Sequence, residues 1–245
     1  MENVNRVNVF VYSDSTAMSR PGHATIGESW PFKLMRILPN NETTPINLVT
    51  RYMPAAASKR LIGVFRRDAH NFGFLSGTNQ RNIVIFAFGI NDAAPRPLTY
   101  PLRHMTKIRW LGPRIWALIE PVLNRNKPLI MRFGSYKATS FRVFKNLHSK
   151  VFSNSPGVTA FIMVKTPIPH PFLELRTKGY SASVEKLNNL KMLLAEQHSN
   201  IKIVDVSEFK NDDYVSKEDG HHFTISGHAY IATEIAKVLI ELVLK

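Results

Sequence analysis

Short apolar runs rich in valine, isoleucine and phenylalanine recur along this chain and predict five buried β-strands. The runs cover residues 6–13, 46–51, 82–89, 158–165 and 201–206. Stretches between and after them have a helical pattern, at about 28–38, 55–67, 103–124, 182–198 and 224–244. Strands and helices therefore alternate along the sequence.

This alternation is typical of an α/β fold in which a parallel sheet is covered by helices on both faces. A chain of 245 residues can form one such domain, and we expect a single domain over residues 1–245. In open parallel sheets the binding crevice lies at the carboxyl ends of the strands. Polar residues that directly follow a strand are therefore the first candidates for a functional site.

Three distant segments contain residues suited to hydrolytic chemistry. Ser15 follows the first predicted strand, Gly89 ends the third and Asn91 follows it, and Asp219 precedes His222 by one turn. A serine hydroxyl becomes a good nucleophile when an imidazole accepts its proton and a carboxylate orients that imidazole. We predict a catalytic triad of Ser15, His222 and Asp219. The Ser15 N–H, the Gly89 N–H and the Asn91 amide are the predicted oxyanion donors.

Neighbouring polar residues have alternative interpretations. His221 is a rival base, but the Asp-x-x-His spacing favours His222. His228 falls in the last helical pattern, where packing is the expected role. Asp14 and Asp92 are expected to bond backbone N–H groups in turns. Without a further carboxylate at ligand spacing from the histidines, we predict no metal site and no cofactor.

In chain order, the three segments read Ser-Asp-Ser at 13–15, Gly-Ile-Asn-Asp at 89–92 and Asp-Gly-His-His at 219–222. This set resembles the SGNH, or GDSL, hydrolases, whose motifs read Gly-Asp-Ser, Gly-x-Asn-Asp and Asp-x-x-His in the same order. The resemblance covers residues 6–96 and 158–240. It implies a flavodoxin-like three-layer sandwich with a five-stranded parallel sheet, and serine esterase or acyltransferase activity.

The sequence departs from the family pattern at two places. Ser13 stands where the family has a glycine before the aspartate. The family's second motif supplies an oxyanion glycine after the second strand, and this chain has alanines there. Because an alanine N–H donates as well as a glycine N–H when its backbone angles are ordinary, Ala56 or Ala57 is the candidate for that role.

Further segments resemble a narrower group of these proteins, found among bacterial polysaccharide-biosynthesis enzymes. They are Ser-Arg-Pro at 19–21, Glu-Ser-Trp-Pro at 28–31 and Ala-Ala-Pro-Arg at 93–96. The resemblance implies an acylated carbohydrate or glycolipid as substrate. Arg96 comes shortly after Asn91 and is a candidate contact to an acidic substrate group, with an ordinary loop arginine as the alternative.

The chain carries a formal net charge of +14 and has no cysteine, so disulfides and thiolate metal sites are excluded. Its first residues lack the basic and apolar regions of a secretory signal. No apolar run approaches the length needed to cross a bilayer. We therefore expect a cytoplasmic protein, with the inner membrane surface as the place of any peripheral contact.

The positive charge is concentrated at residues 103–150, where eleven lysines and arginines are opposed by Glu120 alone. Apolar residues such as Trp110, Trp116 and Phe144 are interleaved with them. We interpret residues 97–150 as an insertion beside the crevice. Its basic side is either the solvated face of core-packing helices or a surface for an anionic substrate or membrane. The aromatic residues follow helical spacing, which argues against nucleic acid as a partner.

Together these features favour a serine-dependent esterase that removes an acyl group, most simply O-acetyl, from a carbohydrate or glycolipid. Transfer of the acyl group to a sugar hydroxyl of a surface polysaccharide is the alternative reaction. The sequence is also compatible with a phospholipid lipase, and with a non-catalytic glycan- or membrane-binding protein on the same fold.

Overall fold

A computed structural model describes residues 6–18, 24–39, 45–75, 81–97, 135–206 and 211–243, together with 117–119, 121–122, 125–126 and 129. Its strands are β1 (Val7–Ser13), β2 (Ile46–Tyr52), β3 (Arg81–Ala87), β4 (Arg96–Pro97), β5 (Ser135–Tyr136), β6 (Ala160–Val164) and β7 (Ile201–Val204). Its helices are α1 (Trp30–Ile37), α2 (Ser58–Asn71), α3 (Ile90–Ala93), α4 (Phe141–Ser153), α5 (Pro171–Arg176), α6 (Tyr180–Gln197), α7 (Asn211–Tyr214) and α8 (Ile225–Val243).

Five of the strands form one parallel sheet in the order β2-β1-β3-β6-β7. Every residue of β1, from Val7 to Ser13, pairs with both β2 and β3, so the carboxyl ends of these three strands lie at the same level. When only the five strands of this sheet are numbered, their order is 2-1-3-4-5, as in flavodoxin-like folds. The predicted five-stranded parallel sheet is confirmed. Strands β4 and β5 pair separately as a short antiparallel ribbon.

Alternate residues of β1 point to opposite faces of the sheet, as the two-residue period of a strand requires. Val7, Val9 and Val11 belong to a buried cluster that also contains residues of α1 and α8. Phe10 and Tyr12 belong to a second buried cluster, formed with α2, α4 and α6. Each face is therefore covered by helices, and the predicted three-layer sandwich is confirmed.

The predicted element boundaries agree with the structure to within two residues for the sheet strands and four residues for α1, α2, α6 and α8. Of the predicted helix 103–124, only 117–119 and 121–122 belong to the described residues, and these are helical. The segment 19–21 lies outside the described residues. Among the helices described, none combines the length and the apolar character of a membrane span.

Helix α4 lies inside the segment interpreted as a basic insertion, yet it packs as part of the core. It begins after Ser140, whose hydroxyl accepts a hydrogen bond from the Val143 N–H at 3.3 Å. Its buried residues are Phe144, His148, Val151 and Phe152. Because it connects toward β6 and covers the aromatic face, α4 belongs to the covering layer of the sheet. Arg142 and Lys150 are exposed, so for this helix the structure favours a solvated basic face.

His148 is a titratable group in the core. Its ring is fully buried and lies on Phe144 with the ring centroids 3.9 Å apart. The Nδ1–H donates to the Phe144 carbonyl at 2.8 Å, and Nε2 has no hydrogen-bond partner among the described residues. Burial lowers the pKa of His148 from its ordinary 6.5 to about 3. Between these two pH values the unfolded chain binds a proton that the folded protein excludes, so acid destabilises the fold.

We expect the substitution His148→Phe to make the protein less sensitive to acid. Between pH 7 and pH 5, urea unfolding should show a smaller loss of unfolding free energy in the variant than in the wild type, by up to about 2 kcal/mol. The control is His70→Gln, because His70 is exposed on α2. Equal losses in the wild type and the His148 variant would contradict this account.

Candidate active site

Three loops meet at the carboxyl edge of the sheet. The first follows β1 and carries Ser15, and the second follows β3 and carries Asn91. Since Ser13 and Ala87 are paired at the ends of these neighbouring strands, the two loops begin side by side. The third loop precedes α8, is closed by a bridge between Val215 and Phe223, and carries His222.

The structure brings the three predicted triad residues together. Ser15 Oγ lies 2.9 Å from His222 Nε2, and His222 Nδ1 lies 2.6 Å from Asp219 Oδ2. Ser15 is 7% exposed and His222 is 4% exposed. With Nδ1–H donated to the carboxylate, Nε2 is the nitrogen that can accept the serine proton. This arrangement is chemically suited to activating the Ser15 hydroxyl.

A tight turn builds the Asp219–His222 pair. Asp219 Oδ1 accepts hydrogen bonds from the backbone N–H groups of His222 at 3.0 Å and His221 at 3.2 Å. Gly220 adopts φ +73°, and a Cβ at this position would lie 2.7 Å from Leu173 Cγ. Both the backbone angle and the close contact with α5 therefore require a glycine in this turn.

The charge on Asp219 is stabilised by the residues that it orients. Partial burial acts to raise the pKa of Asp219, but the hydrogen bonds from the His222 ring and from the His222 and His221 backbone outweigh it. The pKa of the carboxyl therefore lies well below its usual range. An ionised Asp219 is the state that can stabilise a protonated His222.

Two buried side chains fix the backbone on either side of Ser15. Ser13, which stands where the SGNH motif has a glycine, is fully buried, and its hydroxyl donates to the Ala87 carbonyl at 2.6 Å. This bond joins the ends of β1 and β3. Asp14 accepts hydrogen bonds from the N–H and the hydroxyl of Thr16, at 3.0 and 2.7 Å. The turn role predicted for Asp14 matches these contacts.

The predicted oxyanion donors do not all face the same way. Among the described residues, neither the Ser15 N–H nor the Asn91 side chain has a hydrogen-bond partner. The Gly89 N–H, in contrast, points to Asp14 Oδ2 at 3.4 Å. A Cβ on Gly89 would lie 2.6 Å from Thr166 Oγ1, so this glycine packs inside the protein. The oxyanion role predicted for Gly89 therefore disagrees with the structure, because its N–H is directed to a buried carboxylate.

The loop between β2 and α2 offers a replacement donor. The Ala56 N–H donates to the Met53 carbonyl at 3.2 Å, whereas the Ala57 N–H has no acceptor among the described residues. Ser58 donates its N–H and its hydroxyl to Asp92, at 3.0 and 2.8 Å. These bonds hold the start of α2 against α3, which carries Asn91. Of the two alanines predicted for this role, Ala57 is the one whose N–H is available.

His221 and His228, the other two histidines considered above, do not bond to Ser15 and have other partners. His221 Nδ1 donates to the Asp219 carbonyl at 2.9 Å, so the rival base is engaged within its own turn. His228 is buried, and its Nδ1 accepts a hydrogen bond from the Trp30 N–H at 3.2 Å. That contact is a packing role, because it fixes α8 against α1.

One cluster of possible metal ligands overlaps the triad. The ligand atoms of Asp219, His221 and His222 all lie within 4.8 Å of one another. Both ring nitrogens of His222 already have partners, Asp219 on one side and Ser15 on the other. A metal ion at this cluster would have to displace the hydrogen bonds that orient His222.

Arg96 lies on the ribbon next to α3. It pairs with Tyr136 across β4 and β5. Burial raises the pKa of the Tyr180 hydroxyl, and the nearby charge of Arg96 lowers it. The same hydroxyl donates to the Ile90 carbonyl, at the start of α3, at 3.2 Å. The charge of Arg96 therefore acts on a group that is bonded to the turn carrying Asn91.

Lys191, below this turn, is a buried charge that the sequence analysis did not single out. It is 1% exposed, on the buried face of α6. That face also contains Val184, Leu187 and Leu194, which follow helical spacing. A lysine within such an apolar stripe is a sequence signal for a buried charge.

No protein-family model and no curated protein matches the sequence. Solved structures, however, match nearly the whole chain. A member of the lipolytic G-D-S-L family from Veillonella parvula is 11% identical, with a TM-score of 0.55 and coverage of 95% of this chain and 97% of that chain. Est24, a carbohydrate acetylesterase from Sinorhizobium meliloti, is 14% identical, with a TM-score of 0.54 and coverage of 96% and 99%.

A third similar structure is a catalytic mutant of Axe2, an acetylxylan esterase from Geobacillus stearothermophilus. It is 12% identical, with a TM-score of 0.57 and coverage of 94% of this chain and 92% of that chain. At these identities the likeness shows the fold. The chain has the α/β fold of the SGNH hydrolases, which confirms the predicted fold class.

We expect Asn91→Ala to lower kcat for an ester substrate by roughly a hundredfold without changing stability. The amide has no hydrogen-bond partner among the described residues, so its removal costs the fold little. Steady-state kinetics with 4-nitrophenyl acetate and thermal unfolding measure the two effects. Asn154→Ala is the matched control, since Asn154 is exposed at the opposite edge of the sheet. If the Asn91 variant had the same kcat as the wild type, Asn91 would not be an oxyanion donor.

Proposed function

We propose that this protein is a serine-dependent esterase that removes an O-acyl group, most simply acetyl, from a carbohydrate. The observation that carries the proposal is the continuous chain of hydrogen bonds from Ser15 Oγ through His222 to Asp219. The chain lies at the carboxyl edge of a parallel sheet, where such folds bind ligands. Nucleophile, base and orienting carboxylate are each within hydrogen-bonding distance of the next.

The first half of the reaction forms an acyl-enzyme. Ser15 Oγ attacks the acyl carbonyl while His222 Nε2 accepts the hydroxyl proton and Asp219 stabilises the imidazolium. The carbonyl oxygen becomes negatively charged and is held by the Ser15 N–H, the Asn91 amide and the Ala57 N–H. When the tetrahedral intermediate collapses, the bond to the sugar oxygen breaks, and that oxygen takes the proton from His222.

The second half regenerates the serine. Water gives a proton to His222 and attacks the acyl carbonyl, and the same donors stabilise the second oxyanion. Collapse releases the carboxylic acid and returns the proton to Ser15 Oγ. The groups in the site therefore suffice for hydrolysis of an ester.

The substrate class rests on two of the similarly folded proteins. Est24 is a carbohydrate acetylesterase and Axe2 is an acetylxylan esterase. Both act on acetyl esters of sugars, which supports an acylated carbohydrate as the substrate of this chain. A glycolipid ester presents the same reacting group.

Transfer to a sugar hydroxyl is a second candidate outcome. It uses the same acyl-enzyme, and only the acceptor differs. Transfer requires that a bound acceptor compete with water, and the low exposure of Ser15 and His222 limits the access of water. A surface polysaccharide in biosynthesis is the acceptor that the sequence resemblance suggests.

Acetate release from acetylated xylooligosaccharides and from 4-nitrophenyl acetate tests the proposed activity. We expect both to be hydrolysed by the wild type, with kcat lower by roughly four to six orders of magnitude in Ser15→Ala. The reaction is repeated with an excess of unacetylated oligosaccharide as a competing acceptor. Newly acetylated acceptor, identified by mass spectrometry, would assign transfer. Neither acetate nor acetylated acceptor from a folded wild type would contradict the proposal.

A second test addresses the acidic substrate group proposed to contact Arg96. We expect Arg96→Gln to raise KM for an acetylated uronic-acid oligosaccharide about tenfold, because one charge-assisted hydrogen bond is lost. KM for a neutral acetylated xylooligosaccharide should stay within about twofold of wild type on the same argument. Arg142→Gln, at an exposed position of α4, is the control. Equal changes on the acidic and the neutral substrate would argue against this contact.

A further inference from the structure

Lys191 places a positively charged group beneath the active-site turn. Its Nζ lies 2.9 Å from the Phe88 carbonyl, 2.7 Å from the Val164 carbonyl and 3.0 Å from Thr166 Oγ1. A Cβ on Gly89 would lie 3.2 Å from the same nitrogen. The side chain therefore joins the carboxyl ends of β3 and β6 directly below the turn that leads to Asn91.

With these three partners, Lys191 can lose or gain a proton while its side chain stays in the same position. An ammonium group has three N–H donors, one for each partner. A neutral amine has two N–H donors and one lone pair. It can keep both carbonyls as acceptors while the Thr166 hydroxyl rotates and donates to the lone pair. The number of hydrogen bonds is therefore the same in both states, but the bonds to the two carbonyls are charge-assisted, and stronger, only while the group is an ammonium.

The charged groups around Lys191 belong to the loops that carry the site. Asp14 holds the Ser15 turn, and Asp92 holds Ser58 next to Ala57. Burial raises the pKa of both carboxyls. The imidazole of His148 approaches from α4, and burial keeps it neutral by lowering its pKa.

Burial also lowers the pKa of Lys191 to about 7, against the attraction of Asp92 and Asp14. The group therefore gains or loses its charge near neutral pH. Asp14 and Thr166 are also among the residues that line a pocket at this edge of the sheet.

We propose that Lys191 is a positioning residue whose ammonium group, together with Asp14 and Asp92, fixes the turns that present the oxyanion donors. The proposal rests on the proposed esterase function. It follows that loss of the charge weakens transition-state stabilisation while substrate binding is retained. Alkaline pH should therefore lower kcat through Lys191.

The test is Lys191→Met, which keeps an unbranched side chain, one atom shorter, and removes its charge. We expect kcat for 4-nitrophenyl acetate to fall roughly ten- to a hundredfold, since small displacements of catalytic groups have effects of this size. KM should stay within about twofold because the donors act in the transition state. The decrease of kcat on the alkaline side, present in the wild type between about pH 7 and pH 9, should disappear in the variant.

Leu194→Ala is the matched control for a general loss of stability, because Leu194 is buried on the same face of α6. It should lower Tm but leave kcat of the folded protein and the shape of its pH profile unchanged. If Lys191→Met, like Leu194→Ala, lowers Tm but leaves kcat and the shape of the pH profile unchanged, the proposal is overturned and Lys191 only supports the fold.

Thr166→Val provides a second variant if the methionine variant does not fold. It retains the lysine but leaves one N–H of the ammonium group without an acceptor, which disfavours the charged form, so the alkaline decrease of kcat should shift to lower pH. An unshifted profile would overturn the proposal. In every variant, a fluorophosphonate adduct on Ser15 shows separately whether the triad still activates the serine. Failure of the esterase function can therefore be distinguished from failure of the Lys191 proposal.

Discussion

The in-register pairing of β1 with β3 is the constraint on which the site depends. Because Ser13 and Ala87 end their strands at the same level and share a hydrogen bond of 2.6 Å, the two following turns start side by side. Ser15 and Asn91 then reach the same volume of space from separate strands. The Asp219–His222 turn completes the site from the third loop, and the two-sided packing of the sheet holds all three loops in place.

Three ionisable side chains are buried at the same edge of the sheet. Asp14, Asp92 and Lys191 are all nearly or fully buried, and each bonds backbone groups of the loops at this edge. Groups of this kind are costly to bury and strongly destabilising when their partners are lost. Their hydrogen bonds define the loop positions more narrowly than apolar contacts would, which suits a site whose donors must be fixed before the reaction.

Much of the fold and of the site could be predicted from the sequence. The strands have strong apolar patterns, and Ser15, Asn91 and His222 each directly follow or precede a recognisable element. The structure does not support the donor role predicted for Gly89. The direction of its backbone N–H depends on the angle φ, and the sequence does not specify that angle. The choice of Ala57 over Ala56 depends on a turn hydrogen bond to Met53. The apolar stripe of α6 could have indicated that Lys191 is buried, but not which groups it bonds, because Phe88 and Val164 are distant in sequence.

The proposed reaction depends on Ser15 being an activated nucleophile. The most direct measurement is intact-mass analysis after reaction with a fluorophosphonate probe, on the wild type and on Ser15→Ala. We expect a single adduct on the wild type and none on the folded variant, because the probe reacts with a serine whose proton is taken by a neighbouring base. An unmodified, well-folded wild-type protein, or an adduct that persists in Ser15→Ala, would contradict it.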